Sequence, residues 1–354
     1  MKLVVLGLTL SSSWGNGHAT TYRALLSAFA ARGHEVLFLE REKPWYAGDR
    51  RDLIDPPYAR LEFYDSVAAL DAWRAEVAAA DAVIVGSYTP EGVAVGRWAQ
   101  AAAQGVVAFY DIDTPVTLAK LAAGDEEYLS AELIPGYDLY LSFTGGPTLD
   151  LLERRYDSPA ARALYCSVDA ERYRPLDLPK RWDLSYLGTY SPDRQPTLER
   201  LLLEPARRSP GLRFVVAGPQ YPADVAWPAN VERIEHLPPA DHAAFYSQSR
   251  WTLNVTRADM IAAGWSPSVR LFEAAACAAP VISDAWPGLE ALFTPAAEIV
   301  IASGAEDVLA QLRDVPAGVA CGIGEAARRR VAASHTSAHR AGELERLLLS
   351  VRGG

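Results

Sequence analysis

Ser266-Pro267-Ser268-Val269-Arg270-Leu271-Phe272-Glu273 puts a serine, an arginine and a glutamate into what reads as the opening of a helix. A cation in the first turn opposes the helix dipole. Arg270 is better explained there if it meets a phosphate that the helix amides share. Glu273, one turn on and on the same side, offers two oxygens to the vicinal hydroxyls of a ribose; the alternative is a surface Arg–Glu pair at i,i+3. Ser13-Trp14-Gly15-Asn16-Gly17-His18-Ala19-Thr20 leads into another helix. Gly15 and Gly17 let backbone amides approach an anion closely, or the segment is an ordinary turn capped by Thr20. It is neither GxGxxG nor a Walker loop.

Asp111-Ile112-Asp113-Thr114-Pro115 follows an apolar run directly. Two acids separated by one residue point to similar sides of an extended segment, so both are expected to face a ligand. A carboxylate placed there acts as a base, holds a hydroxyl or stabilises positive charge. Alternatively, Asp113 caps the next helix with Pro115 in its first turn. Leu187-Gly188-Thr189-Tyr190-Ser191-Pro192-Asp193-Arg194 leaves another apolar run through a glycine turn carrying a base, and Gly218-Pro219-Gln220 is a similar but weaker loop. His34, His242, His335 and His339 read as structural, and no metal site is expected, because no third ligand lies near any pair. Lys43–Asp49, rich in aromatics, reads as a packed loop rather than a binding rim.

These segments need a scaffold that puts them side by side. In the first half, apolar runs at Leu3–Leu10, Glu35–Leu39, Ala82–Val85, Val106–Tyr110 and Leu139–Phe143 alternate with helical patterns at 20–32, 68–80 and 93–104. The second half repeats the rhythm, with strands at 183–187, 213–217, 230–234, 251–255, 280–283 and 298–301. Continuous apolar strands followed by helices predict parallel sheets covered on both faces. The fold class is therefore α/β, with two doubly wound Rossmann-like domains. We place the first domain at 1–165, a polar, proline-broken linker at 166–182, the second domain at 183–324, and a helical segment at 325–354. Loops at the carboxyl ends of such sheets bind ligands, here expected to face an interdomain cleft.

Composition narrows the function. The 354 residues carry 34 Lys+Arg against 44 Asp+Glu, a net charge of −10. That disfavours nucleic acid or an anionic membrane as partner, since both demand a cationic surface. Three scattered cysteines exclude a disulfide framework and fit a reducing cytosol. No apolar run approaches the roughly 20 residues of a membrane span, and the opening Met-Lys-Leu-Val-Val-Leu-Gly reads as a buried strand rather than a signal core. A cytoplasmic protein is expected.

The order of motifs resembles a known group. Ser268–Asp284 (Ser-Val-Arg-Leu-Phe-Glu-Ala-Ala-Ala-Cys-Ala-Ala-Pro-Val-Ile-Ser-Asp) is similar to the donor-site signature of group 1 (family four) glycosyltransferases of the GT-B fold. Cys166–Pro175 looks like their interdomain Asn-Gly-Val-Asp motif. Ser-Trp-Gly-Asn-Gly-His and Ser142–Pro147 resemble the CgeB-like branch, named for a spore-maturation protein.

The resemblance implies a nucleotide-sugar donor, UDP-sugar foremost, with no separate cofactor and no metal. Glu273 aligns with the ribose-binding glutamate, and Arg194 falls where a diphosphate-binding base sits. Leu237 lies in the loop whose backbone reads the nucleobase, and Gly15, Asn16 and Gly17 match the loop that closes over the diphosphate. Gly188, Thr189 and Ser268 complete the donor set. The family's second glutamate is replaced by Trp265, and its phosphate-binding lysine has no match after Gly218, with Arg257 or Arg270 as substitutes. Asp113 and His18 are the candidate catalytic residues, facing the sugar and the acceptor, and the resemblance implies retention of configuration. The expected activity is sugar transfer to a glycan, small-molecule or protein acceptor. The rivals are a non-catalytic nucleotide-sugar or glycan binder in envelope or spore-coat assembly, and a nucleotide-sugar epimerase.

Overall fold

In the computed structural model, which describes residues 1–14 and 17–352, the chain forms two compact units. One comprises Met1–Ser167 with Ser337–Gly354, the other Val168–Thr336.

The first unit is built on β1 (Lys2–Gly7), β2 (Glu35–Arg41), β3 (Arg60–Tyr64), β4 (Ala82–Gly86), β5 (Val106–Asp111), β6 (Leu139–Ser142) and β7 (Ala161–Ala163). These form one sheet in the order β3-β2-β1-β4-β5-β6-β7, with every pairing parallel. The strands β4 and β5 are buried at every residue, as continuous apolar runs covered on both faces require. The helix His18–Ala30 turns Tyr22, Leu25, Leu26 and Phe29 inward at helical spacing.

The second unit contains β8 (Trp182–Leu187), β9 (Phe214–Ala217), β10 (Val231–Ile234), β11 (Ser249–Asn254), β12 (Val281–Ser283) and β13 (Val300–Ile301). Their order is β10-β9-β8-β11-β12-β13, again all parallel. Leu184, Phe214, Trp251, Leu253 and Ile282 form its core with Val308 and Leu312. Where the chain enters and leaves this unit, Val168 pairs with Thr336 in a parallel bridge, and Val168 N–H donates to the His335 carbonyl at 3.3 Å.

Several sequence boundaries move, each for a local reason. The strand expected over Leu3–Leu10 ends at Gly7, because the buried Glu40 carboxylate draws the chain aside. It accepts from Leu10 N–H at 2.7 Å, Ser11 N–H at 2.9 Å, Thr9 Oγ1 at 2.9 Å and Ser11 Oγ at 2.6 Å. The helix expected at 68–80 is a 3₁₀ segment, Val67–Trp73, followed by a short α-helix, Arg74–Ala78. The first helix starts at His18, with Gly17 rather than Thr20 in the cap position.

The C-terminal stretch is two helices, Ala317–Ser334 and Ser337–Arg352, broken at His335. The helix Ala317–Ser334 lies wholly inside the second unit, so that unit runs past 324 to Thr336. Ser337–Arg352 rejoins the first unit, where Glu345 pairs with Arg32 and Arg352 with Asp81 at 2.6 Å. No helix among the described residues is long and apolar enough to cross a membrane.

Candidate functional site

A doubly wound sheet has one point where successive crossovers reverse direction, and the loops leaving the two strands there splay apart to form a crevice. In the second unit this point lies between β8 and β11. The loop after β8 carries Gly188, Thr189 and Arg194; the loop after β11 carries Thr256 and Arg257.

Arg194 donates from Nη2 to the Thr189 carbonyl at 2.8 Å, and its Nε is buried without a partner among the described residues. Arg257 Nε is buried and unpartnered in the same sense. Arg270, in the first turn of the helix Val269–Ala276, reaches the Leu187 carbonyl through Nε and Asn254 Oδ1 through Nη1 at 3.4 Å, with its guanidinium over the Tyr186 ring. Burial first, and then the like charges of Arg270 and Arg257, lower the pKa of Arg194. Among the described residues, no carboxylate comes within ion-pair distance (4.0 Å) of any of these three guanidinium groups. Asp193 is the nearby acid, tied to Ser191 Oγ and the Ala258 N–H, which together with the Arg257 charge hold its carboxyl low despite burial. Three converging cations with no close ion pair make a site for a multiply charged anion.

The surrounding residues hold this cluster in place. Ser268 Oγ donates to Asn254 Oδ1 at 2.9 Å, tying the helix start to the end of β11. Asp284 accepts from Thr256 N–H at 3.0 Å and from Thr256 Oγ1 at 2.7 Å, fixing the loop that delivers Arg257; burial raises the pKa of Asp284. At Gly218, φ is +143° and a Cβ would lie 2.1 Å from the Gly188 carbonyl oxygen, so only glycine lets the loops after β8 and β9 approach this closely.

Glu273 is buried, 6% exposed. His242 Nδ1 lies 3.8 Å from Glu273 Oε2, and its Nε2 lies 3.3 Å from the Leu237 carbonyl. The Tyr173 hydroxyl is 3.3 Å from His242 Nδ1; burial, and then the Glu273 charge, raises the Tyr173 pKa well above its ordinary value. Burial and the same carboxylate push the Cys277 thiol up to about 12. Leu237 and Glu273 are thus linked through a histidine that looked merely structural in the sequence. Trp265 adopts φ +42° and donates its N–H to the Pro287 carbonyl at 2.6 Å, while its ring lies over Gly288.

In the first unit the reversal falls between β1 and β4. His18 stands just beyond β1, Tyr88 just beyond β4, and Asp113 beyond the neighbouring β5. The His18 and Tyr88 rings meet edge to face, with centroids 5.1 Å apart, and the Tyr88 hydroxyl donates to Asp113 Oδ2 at 3.2 Å. Burial lowers the His18 pKa to about 4, so the imidazole is neutral near pH 7. Its Nδ1 is buried without a partner among the described residues.

Asp111 does not share this position. The chain leaves β5 at Asp111, and Asp113 takes the cap position of Thr114–Ala122 with φ −143° and ψ 56°, which breaks the two-residue alternation. Asp111 is fully buried and accepts from Tyr140 at 2.6 Å and Thr117 at 2.7 Å; burial raises its pKa to about 6. It serves the interior, not a ligand. Gly15 and Asn16 lie outside the described residues, and Gly17 is exposed.

Comparison with known proteins places this architecture. A family model described as glycosyl transferase-like matches residues 194–346. No curated protein matches the sequence. Sucrose-phosphate synthase from Thermosynechococcus elongatus superposes with a TM-score of 0.73 at 16% identity, covering 99% of this chain and 100% of that one. HepE from Anabaena, in complex with UDP-glucose, gives 0.72 at 11% identity, covering 99% and 100%. An alpha-glucosyltransferase in complex with UDP gives 0.72 at 12% identity, with the same coverage. The fold is GT-B. Each of its two Rossmann-like units carries a polar cluster at its own reversal point. In the second unit of this GT-B chain, Gly188, Thr189, Arg194, Ser268 and Arg270 gather in one neighbourhood, with Leu237 and Glu273 in an adjoining one. Tyr88 and Asn254 escaped notice in the sequence because their partners lie on other strands. The strand order was the missing signal for Tyr88, since it places the loop after β4 beside that after β1.

Proposed function

We propose that the protein is a glycosyltransferase moving a sugar from a nucleoside diphosphate to an acceptor hydroxyl, with the donor held by the second unit. One observation carries this reading: Arg194, Arg257 and Arg270 converge where the second sheet reverses, and the Nε groups of Arg194 and Arg257 are buried without a hydrogen-bond partner among the described residues. Cleaving a sugar–diphosphate bond builds negative charge on the departing diphosphate, and fixed donors aimed at it lower the barrier. Arginines meet that demand here, so the reaction needs no divalent metal. The glycosyl transferase-like match over 194–346 supports the assignment, since it spans all three arginines and Glu273.

On this reading Glu273 takes the ribose hydroxyls and Leu237 offers its backbone to the base, while Gly188, Thr189 and Ser268 line the phosphate path. The UDP and UDP-glucose complexes of structural neighbours favour a UDP-sugar as donor. Asp113 and His18 face the sugar and the acceptor. His18 is uncharged near neutrality and so suits hydrogen bonding to a hydroxyl better than pairing with phosphate. The CgeB-like branch and retention of configuration rest on the sequence resemblance alone.

Incubation with UDP-glucose and a panel of other UDP-sugars, following free UDP, tests the proposal. Slow release, accelerated by an acceptor, is expected. Binding without release would make the protein a nucleotide-sugar binder, and sugar conversion without UDP release would make it an epimerase.

A further inference from the structure

Tyr88 belongs to no motif, yet it is the residue on which the first unit's polar cluster turns. Its backbone is left-handed, with φ +61°, a conformation that a bulky side chain rarely adopts and that surrounding contacts must enforce. The turn after β4 uses it: Thr89 N–H donates to the Gly86 carbonyl at 3.4 Å, which puts Tyr88 at the third position of a β-turn, where a positive φ is at home. The side chain shows what the conformation achieves. The hydroxyl donates to Asp113 Oδ2 at 3.2 Å, across 25 residues of sequence. One ring edge meets His18, and the ring also packs on Tyr128 with centroids 4.7 Å apart. Tyr128 is itself anchored, its hydroxyl 2.9 Å from Thr117 Oγ1 and its ring beneath the Lys120 ammonium. The tyrosine is thus clamped on one side and presents its phenol to a carboxylate and its ring to an imidazole.

We propose that Tyr88 is a positioning residue that sets the Asp113 carboxylate and the His18 ring in register with each other. The assignment rests on reading Asp113 and His18 as the groups facing sugar and acceptor. Three features support it. The phenol stays protonated at any working pH, because burial and then the Asp113 charge raise its pKa, so it is a permanent donor. A hydrogen bond to the charged form of a carboxylate favours ionisation, which keeps Asp113 ready to accept a hydroxyl proton or oppose positive charge. Among the described residues, the Asp111 carboxylate and the Tyr128 phenol also face Tyr88, and the Asp113 N–H donates to Asp111 Oδ1 at 3.3 Å. Asp111 raises rather than lowers the tendency of Asp113 to bind a proton, so Tyr88 acts against it.

Tyr88→Phe keeps both ring contacts and removes only the donor. In full-length protein labelled at aspartate carboxyl carbons, with Asp113→Asn to assign the signal, the Asp113 titration midpoint should rise by about one pH unit in the variant. The His18 ring signals should hold in Tyr88→Phe and move in Tyr88→Leu, which loses the edge contact as well. In UDP release from UDP-glucose, Tyr88→Phe should lower kcat about tenfold, leave KM for the donor unchanged, and move the acid limb of the kcat–pH profile upward with the carboxylate. An unchanged Asp113 midpoint, or an unchanged kcat and pH profile, would overturn the assignment. If the wild type releases no UDP at all, the transferase reading fails by itself, and the carboxylate titration still decides the role of Tyr88.

Discussion

His242 stands between two groups of the second unit, its Nδ1 3.8 Å from Glu273 Oε2 and its Nε2 3.3 Å from the Leu237 carbonyl. The helix Val269–Ala276 and the loop after β10 are thereby spaced by one imidazole. If Glu273 grips the ribose, Glu273→Ala should weaken UDP binding by more than 1 kcal/mol, the scale of hydrogen bonds to a charged group, or roughly a tenfold rise in Kd. Calorimetry with UDP reads this directly, and an unchanged Kd would remove the ribose assignment.

The acids and bases of the first unit predict a pH signature in stability. Burial pushes the Asp111 pKa up to about 6 in the folded chain, above the ordinary 3.8 of an aspartate. The folded chain therefore holds that proton more tightly than the unfolded one, and stability is lost as pH rises from about 4 through 6. Asp111→Asn removes the titration, so its stability relative to wild type should climb across that window by at most about 3 kcal/mol and stay level above it. His18, held near 4 against 6.5, acts oppositely: the unfolded chain takes up the proton first, so stability falls as pH drops from about 6.5 toward 4. Chemical denaturation at a series of pH values separates the two, because only the Asp111 slope disappears in the variant.

Gly288 is a position where even a methyl group should be costly. Its φ is +89°, and a Cβ would lie 2.5 Å from Trp265 Cγ. Gly288→Ala therefore combines backbone strain with overpacking and should destabilise by about 2–4 kcal/mol. In a Trp265→Ala background the same substitution should lose its overpacking share and cost only about 1 kcal/mol, from the left-handed backbone. Equal unfolding midpoints for wild type and Gly288→Ala would refute this.

The sequence made the architecture readable wherever strands are buried on both faces. Ala82-Val83-Ile84-Val85 and Val106–Tyr110 are unbroken apolar runs, and they are the interior strands β4 and β5. It concealed the edges of the first sheet: β3, Arg-Leu-Glu-Phe-Tyr, mixes charge with apolar residues because only one side is paired, and β7 has three residues.

The candidate site divides in the same way. Arg270 and Glu273 share one helix, so their spacing alone placed them on one side. Tyr88 with Asp113, and His242 with Glu273, meet only through strand order and long-range packing, which no local pattern encodes. Asp111 misled because alternation holds only while the chain stays extended, and it stops being extended there.

The most direct test compares UDP with uridine by calorimetry on wild type and on Arg194→Ala, Arg257→Ala and Arg270→Ala. If the three guanidinium groups hold a diphosphate, each variant should lose about tenfold or more in UDP affinity, roughly 1.5–3 kcal/mol for a charged hydrogen bond. Uridine binding should be unchanged, and the UDP affinity of wild type should fall with added salt. Variants that bind UDP as tightly as wild type would contradict the proposed donor site.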